Sequence, residues 1–350
     1  MIKISISFIL ILLSFGGLYN QQSKEVIAGP SHIRYTDNAA KIFEYGMIKG
    51  MTMPMHSKVI NFDYGPILND IKNLGTDWVQ INVKFYQENY KSSLIKIPFE
   101  NDPFWVNLDA TIKKAKALDL KISLLPIVRL DRTTATEWRG TIQPDSKSIW
   151  YTSYAQIIEK VADLASKYEV DILSIGSEFT SMQGDLSEWK EIITSTKSIY
   201  CGAISYSVNW DAVQKISFID ELDVLGVSCY YPLTSYNDPS FRNLKKAWSR
   251  LKSKILSYQN NLKLPIYLSE LGYTSQDGTN TNPWNYRISN KSDLEEQKMC
   301  YEAFVSTVNK DSDFHGAFIY DWFDEGGIAD LDYTVRGKPA EKVIINWFSK

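Results

Sequence analysis

Short apolar runs alternate along this chain with segments of helical periodicity. Eight runs read as strands: Gly46 to Met53, Trp78 to Phe85, Leu120 to Val128, Asp171 to Glu178, Ile204 to Trp210, Asp223 to Tyr230, Pro265 to Leu271 and Phe314 to Trp322. Between and after them, apolar residues recur at spacings of three and four, the mark of an amphipathic helix. These helical stretches are Pro66 to Leu74, Trp105 to Leu118, Tyr154 to Tyr168, Leu186 to Tyr200, Asn243 to Tyr258, Asp293 to Val308 and Pro339 to Phe348, with a short segment near Ala212 to Leu222. Gly75 supplies a stop after the first. Eight strands alternating with eight helices predict an α/β fold in which a parallel sheet closes into a (β/α)8 TIM barrel of one domain. The rival is an open doubly wound sheet. A nucleotide binder of that kind would carry a Gly-rich turn after its first strand, and neither GxGxxG nor GxxxxGK[ST] occurs.

Composition narrows the partners. The chain has 350 residues and a formal net charge of −3, which argues against nucleic acid or another polyanion. Its length can bury a sizeable core without disulfides or metals. The 10 Trp, 21 Tyr and 15 Phe fit either aromatic core filler or a cleft lined with flat rings on which sugars pack. Lys3, the apolar run Ile4 to Phe15, and Gly16 and Gly17 have the form of a secretory signal peptide, too short to span a membrane comfortably. No Cys follows it to carry a lipid. Residues 1–20 are therefore set apart from a 21–350 barrel domain, expected to be secreted or periplasmic and not stably inserted in a membrane. Cys201, Cys229 and Cys300 are odd in number, so one thiol at least is unpaired, and Cys229 reads as a buried structural thiol. His32, His56 and His315 show no metal-ligand spacing, so neither a metal nor a cofactor is expected.

Chemistry in such barrels sits at the C-terminal strand ends. There the fourth and seventh runs end in Glu178 and Glu270. The fifth ends in Asn209 and Trp210, the sixth in Tyr230 and Tyr231, and the eighth in Asp321 and Trp322. Arg129 and Asp131 follow the third, and Lys84 and Gln87 close the second, facing the same mouth. A carboxylate ending an apolar run is costly to bury alone. Two aimed at one mouth suit glycosidic hydrolysis, which needs one proton donor and one nucleophile or base. Arg139 reads as positioning a carboxylate or as a structural ion pair. Asp324 and Glu325 read as solvated loop.

The local words resemble glycoside hydrolase family 113, whose members include β-mannanases, within clan A of the glycoside hydrolases. The matching stretches are GTDWVQINVKFYQ (Gly75 to Gln87), ALDLKISLLP (Ala117 to Pro126), EWRGTI (Glu137 to Ile142), DILSIGSEF (Asp171 to Phe179), YSVNWD (Tyr206 to Asp211), LDVLGVSCYYPL (Leu222 to Leu233), LPIYLSELGYTS (Leu264 to Ser275) and LEEQKMCYEAF (Leu294 to Phe304). The resemblance implies a retaining β-glycoside hydrolase, most simply an endo-β-mannanase, without a cofactor. It implies Glu178 as acid/base and Glu270 as nucleophile. Tyr230 would steady the nucleophile, with Tyr231 an equal candidate because a one-residue slip reverses a strand side chain. Trp322 would be the sugar platform, and Asn209 and Trp210 substrate contacts. Glu178 is expected to be held protonated by apolar surroundings and by Glu270's charge. There are departures. Ser177 stands where many clan members have Asn. Pro126, Ile127, Val128 and Arg129 replace a Pro-His-Val-Asp run of the family, so a sugar-facing His and Asp become Ile and Arg. Two other readings are a sugar-binding barrel without hydrolysis and a hydrolase of another β-glycan. A monomer is the expectation by analogy with secreted polysaccharide hydrolases.

Overall fold

The structure, a computed structural model, describes residues 33–349 apart from 58, 60, 100, 101, 310 and 324. The expected signal segment, His32 and Asp324 lie outside the described residues. Eight strands follow in chain order: β1 Ile48–Pro54, β2 Trp78–Gln87, β3 Lys121–Leu130, β4 Ile172–Ser177, β5 Ala203–Asn209, β6 Val224–Ser228, β7 Ile266–Leu271 and β8 Gly316–Ile319. Each pairs in parallel with the next, and β8 returns to β1, closing the barrel. The helices are α1 Asp37–Phe43, α2 Gly65–Asn73, α3 Pro103–Ala117, α4 Lys147–Lys167, α5 Leu186–Ile199, α6 Phe241–Leu262, α7 Leu294–Val308 and α8 Pro339–Phe348.

Local chemistry sets the helix starts. Asp102, Ser146, Ser240 and Asp293 each accept from a backbone N–H of the following first turn, and Pro stands in the first turn of α2, α3 and α8. Two expectations change. Between β5 and β6 there is no α-helix but two 3-10 turns, Val213–Lys215 and Ile219–Glu221. Phe218, between them, packs on Trp189 and Tyr206. A single ring thus covers sheet that a helix would otherwise cover. The helix α1 was not foreseen. Its Ala39 and Ile42 join Ile48, Trp78, Ile172, Ala203, Val224, Tyr267 and Phe318 in an apolar cluster that closes the N-terminal end of the barrel.

Alternation along the strands sorts side chains between two cores. On β2, Val79, Ile81, Val83 and Phe85 pack outward with the helices. Gln80, Asn82 and Lys84 form the inward row. Above the apolar plug the lumen is polar. The Gln80 amide donates to the Ser269 carbonyl across the barrel at 2.8 Å. The Ser207 hydroxyl lies 2.7 Å from that of Ser269 and 3.2 Å from that of Ser228. Much of the aromatic content is core: Trp150, Trp189, Trp248 and Trp347 are wholly buried.

Candidate active site

Bulges aim both carboxylates. Along the β6–β7 pairing, Gly226 faces Tyr267 and Ser228 faces Glu270, so three residues of β7 answer two of β6. The extra residue re-aims the side chains beyond it. Strict alternation from Tyr267 would send Glu270 outward; the bulge turns it to the lumen. There the Tyr230 hydroxyl donates to Glu270 Oε2 at 2.9 Å. The β4–β5 pairing carries a similar shift between Ser174 and Ser177. Glu178 comes next, in the left-handed region at φ 57°. That conformation is costly for a residue with a side chain. It is held by the Glu178 N–H donating to the Ser207 carbonyl at 2.7 Å and the Phe179 N–H donating to the Tyr206 hydroxyl at 2.9 Å. Both carboxylates are almost fully buried, Glu178 at 4% and Glu270 at 3% exposure.

Arg139, half-buried beside the site, places a guanidinium nitrogen 2.6 Å from Glu178 Oε2. Glu178 is therefore seated in an ion pair. The carboxyl pushed upward is Glu270, to about 7, first by burial and then by the charge of Glu178; Arg139, the Tyr230 hydrogen bond and Lys84 act against the rise. Two neighbouring buried carboxylates cannot both carry charge cheaply, and Arg139 stands against Glu178 rather than Glu270.

The other expected residues separate. Lys84 reaches the mouth, where its ammonium lies 2.7 Å from His56 Nδ1. Gln87 does not. Its spacing of three from Lys84 puts it on the outer face, where its carbonyl oxygen accepts from the Trp150 indole at 2.8 Å and its amide donates to the Asn89 carbonyl. Tyr230 and Tyr231 also part. Tyr230 faces Glu270, while the Tyr231 hydroxyl donates to the Trp210 carbonyl at 2.7 Å. The Trp210 ring stacks near Trp284, with centroids 6.0 Å apart, and Trp284 is half-exposed. Asn209 donates to the Asp211 carboxylate at the rim. Trp322 is not an open platform. It is 3% exposed, and the Arg336 guanidinium lies 5.5 Å from the centre of its ring. The rings that surround Tyr230 are Tyr320 and Tyr333, at 6.5 and 5.9 Å.

The sequence reading did not single out Asn82, Tyr320 or Tyr333. Asn82 Nδ2, Ser177 Oγ and Glu270 Oε1 are buried without a hydrogen-bond partner among the described residues. Asn82 was findable, since it stands two before Lys84 on the inward row. Tyr320 lies inside the eighth run beside Asp321 and Trp322, which alone are read as its polar end, and Tyr333 lies beyond the strands, where no periodicity marks it. The three cysteines are free, Cys229 and Cys300 buried. Away from the mouth, the carboxylates of Asp238, Asp277 and Asp293 approach one another within 4.8 Å, and Lys291 pairs with Asp277 at 2.8 Å.

A closed parallel barrel with two buried glutamates at its C-terminal mouth, one beneath a tyrosine hydroxyl, defines the class as a barrel glycoside hydrolase. The chain belongs to Glycoside Hydrolase Family 113, whose model matches residues 65–338. It is similar to the family 113 β-mannanase of Alicyclobacillus acidocaldarius, solved in complex with ManMIm, at 24% identity and a TM-score of 0.78. That match covers 88% of this chain and 99% of that one. A family 113 β-1,4-mannanase, also solved as a complex, matches at 23% identity and a TM-score of 0.75, over 87% and 99%. A family 5 mannosidase from Rhizomucor miehei shares the fold at 12% identity and a TM-score of 0.60, over 87% and 93%. No curated protein matches the chain. Among the described residues, no helix is long and apolar enough to cross a membrane.

Proposed function

We propose that this glycoside hydrolase cleaves β-1,4-linked mannan with retention, by double displacement. Glu270 is the nucleophile and Glu178 the acid/base. The observation that carries this reading is the Tyr230 hydroxyl donating to Glu270 at 2.9 Å, across from Glu178 on its own strand end. A nucleophile needs one oxygen held and the other available. Glu270 Oε1 is the available one.

The electrostatics match one stage of that cycle. In the glycosyl-enzyme, Glu270 is an ester and neutral, and Glu178 must be a carboxylate to take a proton from water. A guanidinium on Glu178 beside a Glu270 that resists charge is that arrangement. To open the cycle, Glu178 has to leave Arg139 and take up the proton, and Glu270 has to ionise. The proton that Glu270 gives up is the one that Glu178 takes, so the pair holds one proton throughout.

The test is reducing-sugar release from β-mannan, glucomannan, xylan and β-glucan by wild type and by Glu270→Ala. Release from mannan by wild type alone is expected, with a loss in the variant of at least about 10⁴-fold. Equal release by both would remove Glu270 from the chemistry, and release from xylan alone would change the sugar. The enzyme is further proposed to be exported as a monomer comprising residues 21–350, on the form of residues 1–20. The N-terminal residue and solution mass of the secreted product check this.

A further inference from the structure

A neutral polysaccharide gives a binding site no reason to collect cations, yet the β2–β3 side of this mouth has them. Lys84 ends the inward row of β2 and is buried to 7% exposure. Arg129 follows Ser123, Leu125 and Ile127 on the inward row of β3, and the pairing sets Tyr86 beside it, two residues from Lys84. Nearby rim cations are neutralised. Arg132 pairs with Glu88 at 2.8 Å, Lys96 pairs with Asp131, and Arg139 is committed to Glu178. Neither Lys84 nor Arg129 has a carboxylate at ion-pair distance among the described residues. Lys84 instead donates to His56, a neutral ring, and the His56 and Phe323 rings meet edge to face with centroids 4.2 Å apart.

The two cations oppose each other. Lys84 is pushed down to about 8, first by burial and next by the charge of Arg129, with Asp321 and Glu270 pulling the other way. His56 is pushed down to about 4 by burial, Lys84 and Arg129. A buried ammonium without a counter-ion is costly, and an arriving anion would relieve it. The ammonium is near enough to Glu270 for each to bias the other's protonation, so an anion bound there sits beside the sugar being cleaved.

We propose that Lys84 and Arg129 form a subsite for a sugar carboxylate, so that the substrate is an acidic β-glycan: a mannan-type chain bearing uronic acid. The inference rests on the hydrolase reading above and names its substrate class. Arg129 supplies the planar fork that takes a carboxylate through two hydrogen bonds, and Lys84 supplies a point charge below it. The two cations stand across the mouth from β7, and of the two only Lys84 acts on Glu270. The acidic residue therefore lies on the β2–β3 side of the cleaved sugar.

The experiment compares β-1,4-mannan with the same polymer partly oxidised at C6 to carboxylate, so that linkage and backbone stay constant. Wild type should show kcat/KM at least about tenfold higher on the oxidised polymer at low salt, the scale of a charge-assisted hydrogen bond. The preference should shrink as salt rises. Arg129→Gln should bring the ratio near unity, and Arg129→Asp should invert it. A wild type that cleaves mannan with no preference, or a preference unmoved in Arg129→Asp, overturns the subsite and leaves the hydrolase reading standing. If neither polymer is cleaved, the hydrolase reading fails and electrophoretic retardation in gels cast with each polymer decides the subsite. Retardation by the oxidised polymer that Arg129→Asp abolishes supports it, and no selective retardation overturns it.

Discussion

At the scale of single residues, Arg139 and Glu270 decide the chemistry between them. Glu270 must be ionised to attack, and its carboxyl is held up at about 7. The acid limb of kcat/KM should therefore fall near pH 7, with activity rising as the pH passes upward through it. Neighbours move that limb in opposite directions. Tyr230→Phe removes a hydrogen bond that favours the charged form, so the limb should shift to higher pH. Glu178→Gln removes the charge that disfavours it, so the limb should shift to lower pH on a substrate whose leaving group needs no protonation. A limb unmoved in both would exclude Glu270 as the titrating group. Arg139→Met tests the ion pair. If Arg139 stabilises the basic form of Glu178, the second half-reaction suffers most. On an activated aryl β-mannoside, kcat should fall by roughly 10²-fold and KM should fall with it as the glycosyl-enzyme accumulates, giving a pre-steady-state burst. A rise in KM without a burst would make Arg139 a ground-state contact.

At the scale of elements, what matters is where the strands break step. The bulge that turns Glu270 inward lies against Gly226 of β6. A Cβ built there would stand 2.8 Å from Ser269 Cβ, closer than side-chain carbons come. Gly226→Ala should push β7 aside, costing about 1–3 kcal/mol in urea titration and at least roughly tenfold in kcat. Unchanged kcat would show that the bulge tolerates the shift. The strands themselves were legible because the residues they turn toward the helices are apolar, and all eight lie where the apolar runs are. Bulges leave no such trace, because one inserted residue changes neither composition nor hydrophobicity. So Glu178 and Glu270 were found as charged ends of apolar runs, but not by counting alternation. Counting works where a strand is regular. It separates Lys84 from Gln87 and Tyr230 from Tyr231, and applied to β2 it places Asn82 in the lumen. The plug helix α1 has only seven residues, too short for its period to stand out. Gln87 has a structural part of its own. Gln87→Leu leaves the buried Trp150 indole without its acceptor, and should cost about 1–3 kcal/mol in stability with kcat nearly unchanged.

At the scale of the molecule, the barrel places titrating groups at both ends, and they pull its stability in opposite directions with pH. At the mouth, Glu270 binds its proton more tightly folded than unfolded. Its contribution is complete below its unfolded value of 4.5 and is lost as the pH rises through about 7, because the folded state must then bear a buried charge. At the plugged end, His315 does the reverse. Burial pushes it down to about 4, while its ring nitrogen Nε2 meets the Tyr35 hydroxyl at 2.5 Å. Its contribution is complete above 6.5 and is lost as the pH falls through about 4. Each displacement corresponds to roughly 3 kcal/mol at most. Glu270→Gln removes only the mouth's part. The variant should melt a few degrees above wild type at pH 8, where wild type carries the buried charge, and at nearly the same temperature at pH 4.5, where Glu270 is neutral in the folded state and about half ionised in the unfolded one. Melting curves across pH 4 to 8 would show the two traces converging toward acid. A variant equally stabilised at both pH values would owe its gain to packing, and one not stabilised at pH 8 would mean that Arg139 and Lys84 already neutralise Glu270. In that case the charge the active site needs would cost the fold nothing, and the acid limb of activity would have to move well below 7 along with it.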